Sequence, residues 1–381
     1  MMGTAEAEAV EVPETSGEGG KDRSEPGSNG LGDFSKEELH RFLREMLLFR
    51  RFEEKAEEAY AIGKIGGFCH LHIGQEAGAL GLIDPLRQDD WVITAYRDHT
   101  QALAKGLEPG PVMAELYGRD TGSSRGKGGS MHIFGAGSGF MGGHGIVGAQ
   151  MPMATGMAFA ARYRGTDQVC VCFMGDAAVN QGAFLESLNM AAIWKLPVIF
   201  VVENNEYGMG TAFSRVSAVP MIQRADSFGV PAHSVDAQDI IATWSFMDDL
   251  VKEVREGAGP QFVEARTYRF KGHSMSDPVS GTYRSKEEVE GRVKEQDPIA
   301  ILRDRLFEAE LLTEDELDAM DEEVRKVVDE AAEFADEAPL PDPAELYSHV
   351  YAEINEHGRL FFDGREGEPG HPEGDVKRGE A

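Results

Sequence analysis

Cysteine is nearly absent, with Cys69, Cys170 and Cys172 the only three in 381 residues. So few thiols at such uneven spacing exclude a disulfide framework and fit a reducing compartment. Positive charge is scarce as well: 37 Lys and Arg stand against 67 Asp and Glu, for a formal net charge of −30. Such an excess repels phosphate backbones and anionic lipid head groups, so neither nucleic acid nor a membrane surface is an expected partner. It also keeps a chain hydrated, and one physical reading is adaptation to high salt, where screening removes the cost of self-repulsion. No apolar run approaches the roughly 18 residues that a membrane span needs. The N-terminal stretch is acidic and glycine-rich, unlike a secretory signal or an Arg-rich transit peptide, and the expected location is the cytoplasm.

Bulky apolar residues are missing from both ends. "TAEAEAVEVPETSGEGGKDRSEPGSNG" has too little to bury to offset the entropy of ordering, so residues 1–33 are expected to be a disordered acidic tail and residues 361–381 another. Between them, residues 34–360 are expected to form one domain, and a hydrophobic content of 41% suffices for its core. Order should begin at "FSKEELHRFLREMLLFRRFEEKAEEAY", where Ser35 and Glu38 have capping-box spacing and Leu39, Leu43, Met46 and Leu47 recur on one helical face. A glycine-rich middle, 66–148, contains the apolar piece "DDWVITAYRDH". Beyond it, "QVCVCFM", a helix near 180–194, "PVIFVVE" and "QFVEARTYRF" alternate. That alternation predicts an α/β fold, a parallel sheet with helices on both faces. From Ser285 to about residue 337 the chain is charged and helical, which gives the domain helical extensions at both ends.

In a parallel sheet, ligands bind outside the carboxyl ends of the strands, where helix N-termini offer backbone donors to anions. Asp176 follows the strand "QVCVCFM" and Asn205 follows "PVIFVVE". Adjacent strands would deliver a carboxylate and an amide oxygen to one point. Both are hard donors suited to magnesium or calcium bridging to a diphosphate, and a backbone carbonyl such as that of Tyr207 could complete the set. Each residue alone has a plainer explanation, Asp176 as a helix N-cap and Asn205 as a turn residue, but that explains the pair less well. Arg97 taken alone would be a surface ion pair with Asp98. "GFMGGHGIVG" would be a flexible glycine loop, and His273 on its Gly- and Ser-containing loop an inert histidine. With a near-neutral pKa, the same histidine could donate to a developing alkoxide or protonate an intermediate.

The run from Gly175-Asp176 to Asn205 resembles the thiamin diphosphate motif, a Gly-Asp followed some thirty residues later by Asn. With "GFCHLHIGQEA", "ITAYRDH", "GKGGSMH", "HGIVGAQMP", "NMAAIWKLPVIFVVENNEYGMG", "KGHSMSDP" and "TYRSKEE", it makes residues 35 to about 350 resemble the alpha subunits of heterotetrameric pyruvate dehydrogenase components. The resemblance implies a thiamin diphosphate-binding fold and oxidative decarboxylation of pyruvate, with reductive acetylation of the lipoyl group on a dihydrolipoamide acetyltransferase core. It also implies a beta subunit that supplies the glutamate needed to activate the cofactor.

Residue by residue, the resemblance assigns Mg2+ to Asp176, Asn205 and the Tyr207 carbonyl, and the diphosphate to Tyr96 and Arg97, flanked by Gly175, Ala177 and Ala178. Gly145, Ile146 and Val147 would border the aminopyrimidine. His273 would cover the thiazolium, and His70 would lie on the substrate side. His72 stands where relatives more often have tyrosine. Ser274 matches a phosphorylated position of mitochondrial relatives and is read here as a loop serine. The family usually has glycine where this chain has Ala177, an exchange that costs little unless the residue needs a positive φ. A branched-chain 2-oxo acid or acetoin dehydrogenase alpha subunit is one competing reading, and a non-catalytic assembly or regulatory relative is another; "GHSMSDP" and "ENNEYGMGT" favour pyruvate. The loop from Gly272 to Arg284 has few apolar anchors, and its order is expected to come from ligand contacts.

Overall fold

A computed structural model describes residues 30–347, so nearly all of both expected tails lies outside the described residues. Helix α1 (Lys36–Ala61) starts with the expected capping box: the Glu38 amide donates to Ser35 Oγ at 3.2 Å, and the Ser35 amide donates to Glu38 Oε2 at 2.8 Å. A cap of this kind contributes about 1 kcal/mol. Leu39, Leu43, Met46 and Leu47 are all buried, and Leu31, ahead of the helix, is already part of the core.

The chain continues through α2 (Glu76–Ile83), β1 (Trp91–Ala95), α3 (His99–Ala104) and α4 (Pro109–Leu116). Then come β2 (Phe140–His144), α5 (Gln150–Arg164), β3 (Cys170–Gly175), α6 (Gly182–Ile193) and β4 (Val198–Asn204). A small hairpin of β5 (Tyr207–Gly208) and β6 (Thr211–Ala212) precedes α7 (Met221–Asp226), β7 (Ala232–Asp236), α8 (Ile240–Glu253) and β8 (Gln261–Arg266). Helices α9 (Lys286–Gln296), α10 (Pro298–Glu308) and α11 (Glu314–Glu337) complete the described chain.

Six strands form one parallel sheet in the order β2-β1-β3-β4-β8-β7. Side chains alternate across a strand, so the continuous apolar runs of β3 and β4 fill two cores at once. Cys170, Cys172, Phe200 and Val202 face residues of α5, α6 and α7. Val171, Phe173, Ile199 and Val201 face the larger layer, built from α1 to α4, α8, α10 and α11. The three thiols are free and buried, as a reduced protein requires.

The strand order reverses between β1 and β3, because the chain leaves β1 toward β2 on one side and leaves β3 toward β4 on the other. Crossovers diverge at such a point and leave a crevice beyond the carboxyl ends of the two strands. Among the described residues no helix is long and apolar enough to cross a membrane.

Candidate active site

Four of the stretches singled out in the sequence lie where a strand ends, whereas His70 lies between α1 and α2. Tyr96 and Arg97 follow β1, Gly145 follows β2, Asp176 follows β3, and Asn205 follows β4. The site residues thus line the switch-point crevice because the sheet topology leaves the strand ends there. His273 arrives on the segment after β8, the strand beside β4.

Asp176 is 2% exposed and Asn205 is 8% exposed. The Asn205 amide nitrogen donates to Gln75 Oε1 at 3.1 Å, which fixes the amide so that Oδ1 is the free end. That Oδ1, and Oδ2 of Asp176, are buried acceptors without a hydrogen-bond partner. Burial pushes the Asp176 carboxyl up to about 6, against the pull of its own backbone amides and Arg269. Two orphaned hard oxygens, one of them a carboxylate held above its ordinary pKa, leave a deficit of positive charge that a divalent cation would fill. Among the described residues no group of three or more His, Cys, Asp or Glu forms a metal cluster, so a cation at this point needs the amide and a carbonyl as well. The neighbouring turn is unusual: Glu206, directly before Tyr207, has φ +73°. Tyr207 itself leads β5, and its hydroxyl donates to Glu288 at 3.0 Å.

The plain alternative for Arg97, a surface ion pair with Asp98 or a neighbour, does not describe the fold. Arg97 is 7% exposed and donates to the carbonyls of Leu71 at 2.5 Å and His273 at 2.8 Å. Asp98 instead accepts from the Ile133 amide, and burial raises its carboxyl to about 8. Burial, and then Arg269, lower Arg97 to about 10. Among the described residues Arg269, at 1% exposure, donates to the Lys271 carbonyl and the Tyr283 hydroxyl and to no carboxylate. The sequence reading missed it. Its signal was the rule applied to the other strands, since Arg269 lies just beyond the end of β8. Two buried guanidiniums that form no ion pair with a carboxylate among the described residues, in one crevice, suit a phosphorylated ligand.

Ala177 lies in a short 3-10 turn, Asp176–Asn180, and is not among the residues with positive φ, so alanine fits there. Its methyl faces Gly208, where an added Cβ would come within 2.3 Å of it. The glycine this turn requires is therefore at 208. Ile146 and Val147 stand exposed beyond β2, and Gly145 brings the backbone against the His132 ring.

Three rings converge near Arg97. His70 is 4.6 Å from Tyr96 and 5.3 Å from His273, centroid to centroid, and the Tyr96 hydroxyl lies 3.5 Å from His273 Nε2. The near-neutral pKa expected for His273 is corrected: burial, then Arg97 and Arg269, push the ring down to about 3. His70 is pushed lower still, burial again leading. Both rings are neutral at physiological pH, and both retain an unpartnered Nδ1. His72 is not part of this cluster. It is fully buried between Glu203, at 2.8 Å from Nε2, and Thr100, at 2.8 Å from Nδ1.

The 272–284 loop carries few apolar anchors but has polar ones. Arg284 donates to the carbonyls of Arg269, Lys271 and Val279, and the Ser274 amide and hydroxyl both donate to Asp277.

Fold and crevice together define an α/β protein with a charge-bearing ligand site at the switch point of its sheet. The chain belongs to the dehydrogenase E1 component family, which it matches over residues 44–344. It is 53% identical to the pyruvate dehydrogenase E1 component subunit alpha of Rhizobium meliloti, with 84% of this chain and 92% of the relative covered. The subunit of the same name from Zymomonas mobilis is 49% identical, covering 83% of this chain and 89% of the relative. The mitochondrial one of Solanum tuberosum is 46% identical, with 83% and 80% covered.

Proposed function

We propose that the chain is the alpha subunit of a pyruvate dehydrogenase, dependent on thiamin diphosphate and Mg2+ and working with a beta subunit and a lipoyl-bearing acetyltransferase. The observation that carries the reading is the pairing, in one crevice, of two buried guanidiniums that donate to carbonyls and a hydroxyl rather than to carboxylates with two buried oxygens lacking donors. A diphosphate bridged by a divalent cation satisfies both deficits at once.

Asp176, Asn205 and the Tyr207 carbonyl hold the cation, and Arg97, Arg269 and Tyr96 take the phosphate oxygens. The turn Gly175-Asp176-Ala177-Ala178 offers backbone close to the diphosphate, and Gly145, Ile146 and Val147 border the pyrimidine. When bound, the cofactor would supply a nucleophilic carbon for the keto group of pyruvate and a sink for the electron pair released on decarboxylation. His273 is kept neutral by burial and then by Arg97 and Arg269, so it can donate one N–H to oxygen at the reacting carbon without adding a third buried positive charge. His70 faces it across the space left for the substrate. Phe68 and Ile146, both exposed, mark apolar surface through which a lipoyl arm could enter.

The described chain provides one parallel sheet, and the activating glutamate is assigned to the beta subunit. Purified alone, this chain should neither decarboxylate pyruvate nor exchange the thiazolium proton quickly, and adding the beta subunit should restore both. Comparing turnover of pyruvate, 2-oxoisovalerate and acetoin by the assembled enzyme tests the substrate. Full activity from the isolated chain, or preference for another substrate, would contradict the proposal.

A further inference from the structure

We propose that Glu53, His99 and Ser130 are positioning residues for the reaction: a buried chain of hydrogen bonds that sets where the His70 ring stands. The proposal rests on the functional reading above, in which His70 faces the substrate.

Glu53 sits in the middle of α1, and both it and His99, the first residue of α3, are fully buried. One carboxylate oxygen of Glu53 accepts from the His72 amide at 2.9 Å, and the other meets His99 Nδ1 at 2.8 Å. On its far side the His99 ring meets the Ser130 hydroxyl at 2.8 Å, and that hydroxyl accepts from the His70 amide at 3.2 Å. The carboxylate therefore grips the His70–His72 segment twice, directly at one end and through His99 and Ser130 at the other. Between the two points, the Leu71 carbonyl accepts from Arg97. Three successive backbone groups are thus tied, the middle one to a guanidinium of the candidate phosphate site.

Ser130 is itself fixed. The amides of Ser124, Gly126, Gly128 and Gly129 all donate to the buried carboxylate of Glu115, at the end of α4, at 2.7 to 3.0 Å. The glycine-rich stretch before Ser130 is thereby wrapped around one carboxylate, which explains its composition: Gly126 and Gly129 have φ of +71° and +61°.

Stability alone is a weak reason for such an arrangement. Buried ionisable pairs are often replaceable by apolar residues at no cost, whereas misplacing a reacting group by about 1 Å can cost about 10²-fold in rate. Burial opposes protonation of His99, yet Glu53 raises its pKa, in keeping with a pair that holds its geometry.

The test uses the enzyme assembled with its beta subunit and a lipoyl acceptor. For Ser130→Ala we expect kcat to fall about 10-fold while the pyruvate KM and the thiamin diphosphate Kd stay within about 2-fold. In a His70→Ala background the same change should produce no further loss, because the residue it positions is gone. Glu53→Gln keeps the side-chain volume and should show the same split and the same loss of effect. An unchanged kcat in the single variants, or an equal loss with and without His70, would overturn the proposal. No binding of thiamin diphosphate by the wild-type assembly would overturn the functional reading itself, and the proposal with it.

Discussion

Along the seam between α1 and α11, Lys36, Arg44, Arg51 and Lys55 each meet a carboxylate of α11, namely Glu316, Glu323, Asp321 and Asp329, at 2.7 to 2.9 Å. All four cations stay partly open to water. In the crevice, Arg97 and Arg269 are buried and, among the described residues, meet no carboxylate. In a chain with 67 acidic side chains, a counter-ion was easy to place. The seam shows charge arranged for solubility, where each exposed pair contributes only about 0 to 1 kcal/mol. The crevice shows charge held at a cost to the free chain, which is reasonable only if a ligand offsets it.

The comparison is broken most severely at the oxygens. Asp176→Ala or Asn205→Ala should abolish magnesium-dependent binding of thiamin diphosphate with the fold intact, as measured by isothermal titration and circular dichroism; unchanged affinity would remove the cation from the account. Next in size is His273→Ala, for which cofactor binding should survive while reductive acetylation falls by roughly 10² or more. Rapid-quench assays of acetyl transfer to a lipoyl domain would check it, and near-wild-type transfer would return His273 to an inert role. Arg269→Met should weaken thiamin diphosphate binding by about 10- to 100-fold, the scale of a lost charge-assisted hydrogen bond. The same variant should leave the cofactor-free protein as stable as wild type or more so, because it removes a buried charge. A large drop in Tm without cofactor would instead make Arg269 a structural residue. The smallest effect belongs to the seam: Lys36→Ala should cost under about 1 kcal/mol, diminish further with added salt, and leave turnover unchanged.

The parts that could be read from the sequence were those fixed by local pattern. The capping box at Ser35, the strands carrying Cys170, Cys172 and the "PVIFVVE" run, and the placing of Asp176 and Asn205 at strand ends all follow from periodicity and the rule for parallel sheets. Burial could not be read this way, because it depends on which segments of distant sequence pack together. Taken alone Arg97 would pair with Asp98 or another neighbour at the surface, yet the carbonyls of Leu71 and His273 accept its hydrogen bonds. The His273 pKa was misjudged for the same reason: burial, and then Arg97 and Arg269, lower it. Arg269 and Glu53 belong to no short motif, and although His99 closes "ITAYRDH", only the sheet order and the packing of α1 on α3 bring the three into place. Ala177 was legible in its consequence but not its compensation, which lies at Gly208.

The central claim is that the buried charges of the crevice await a diphosphate and a divalent cation together. Titrating the enzyme, assembled with its beta subunit, with thiamin diphosphate and with thiamin, each with magnesium and with a chelator, tests it most directly. The account predicts tight binding only for the diphosphate with magnesium, and a loss of at least about 10²-fold when either the phosphates or the metal are withheld. Binding of thiamin as tight as that of its diphosphate, or affinity indifferent to the chelator, would contradict it.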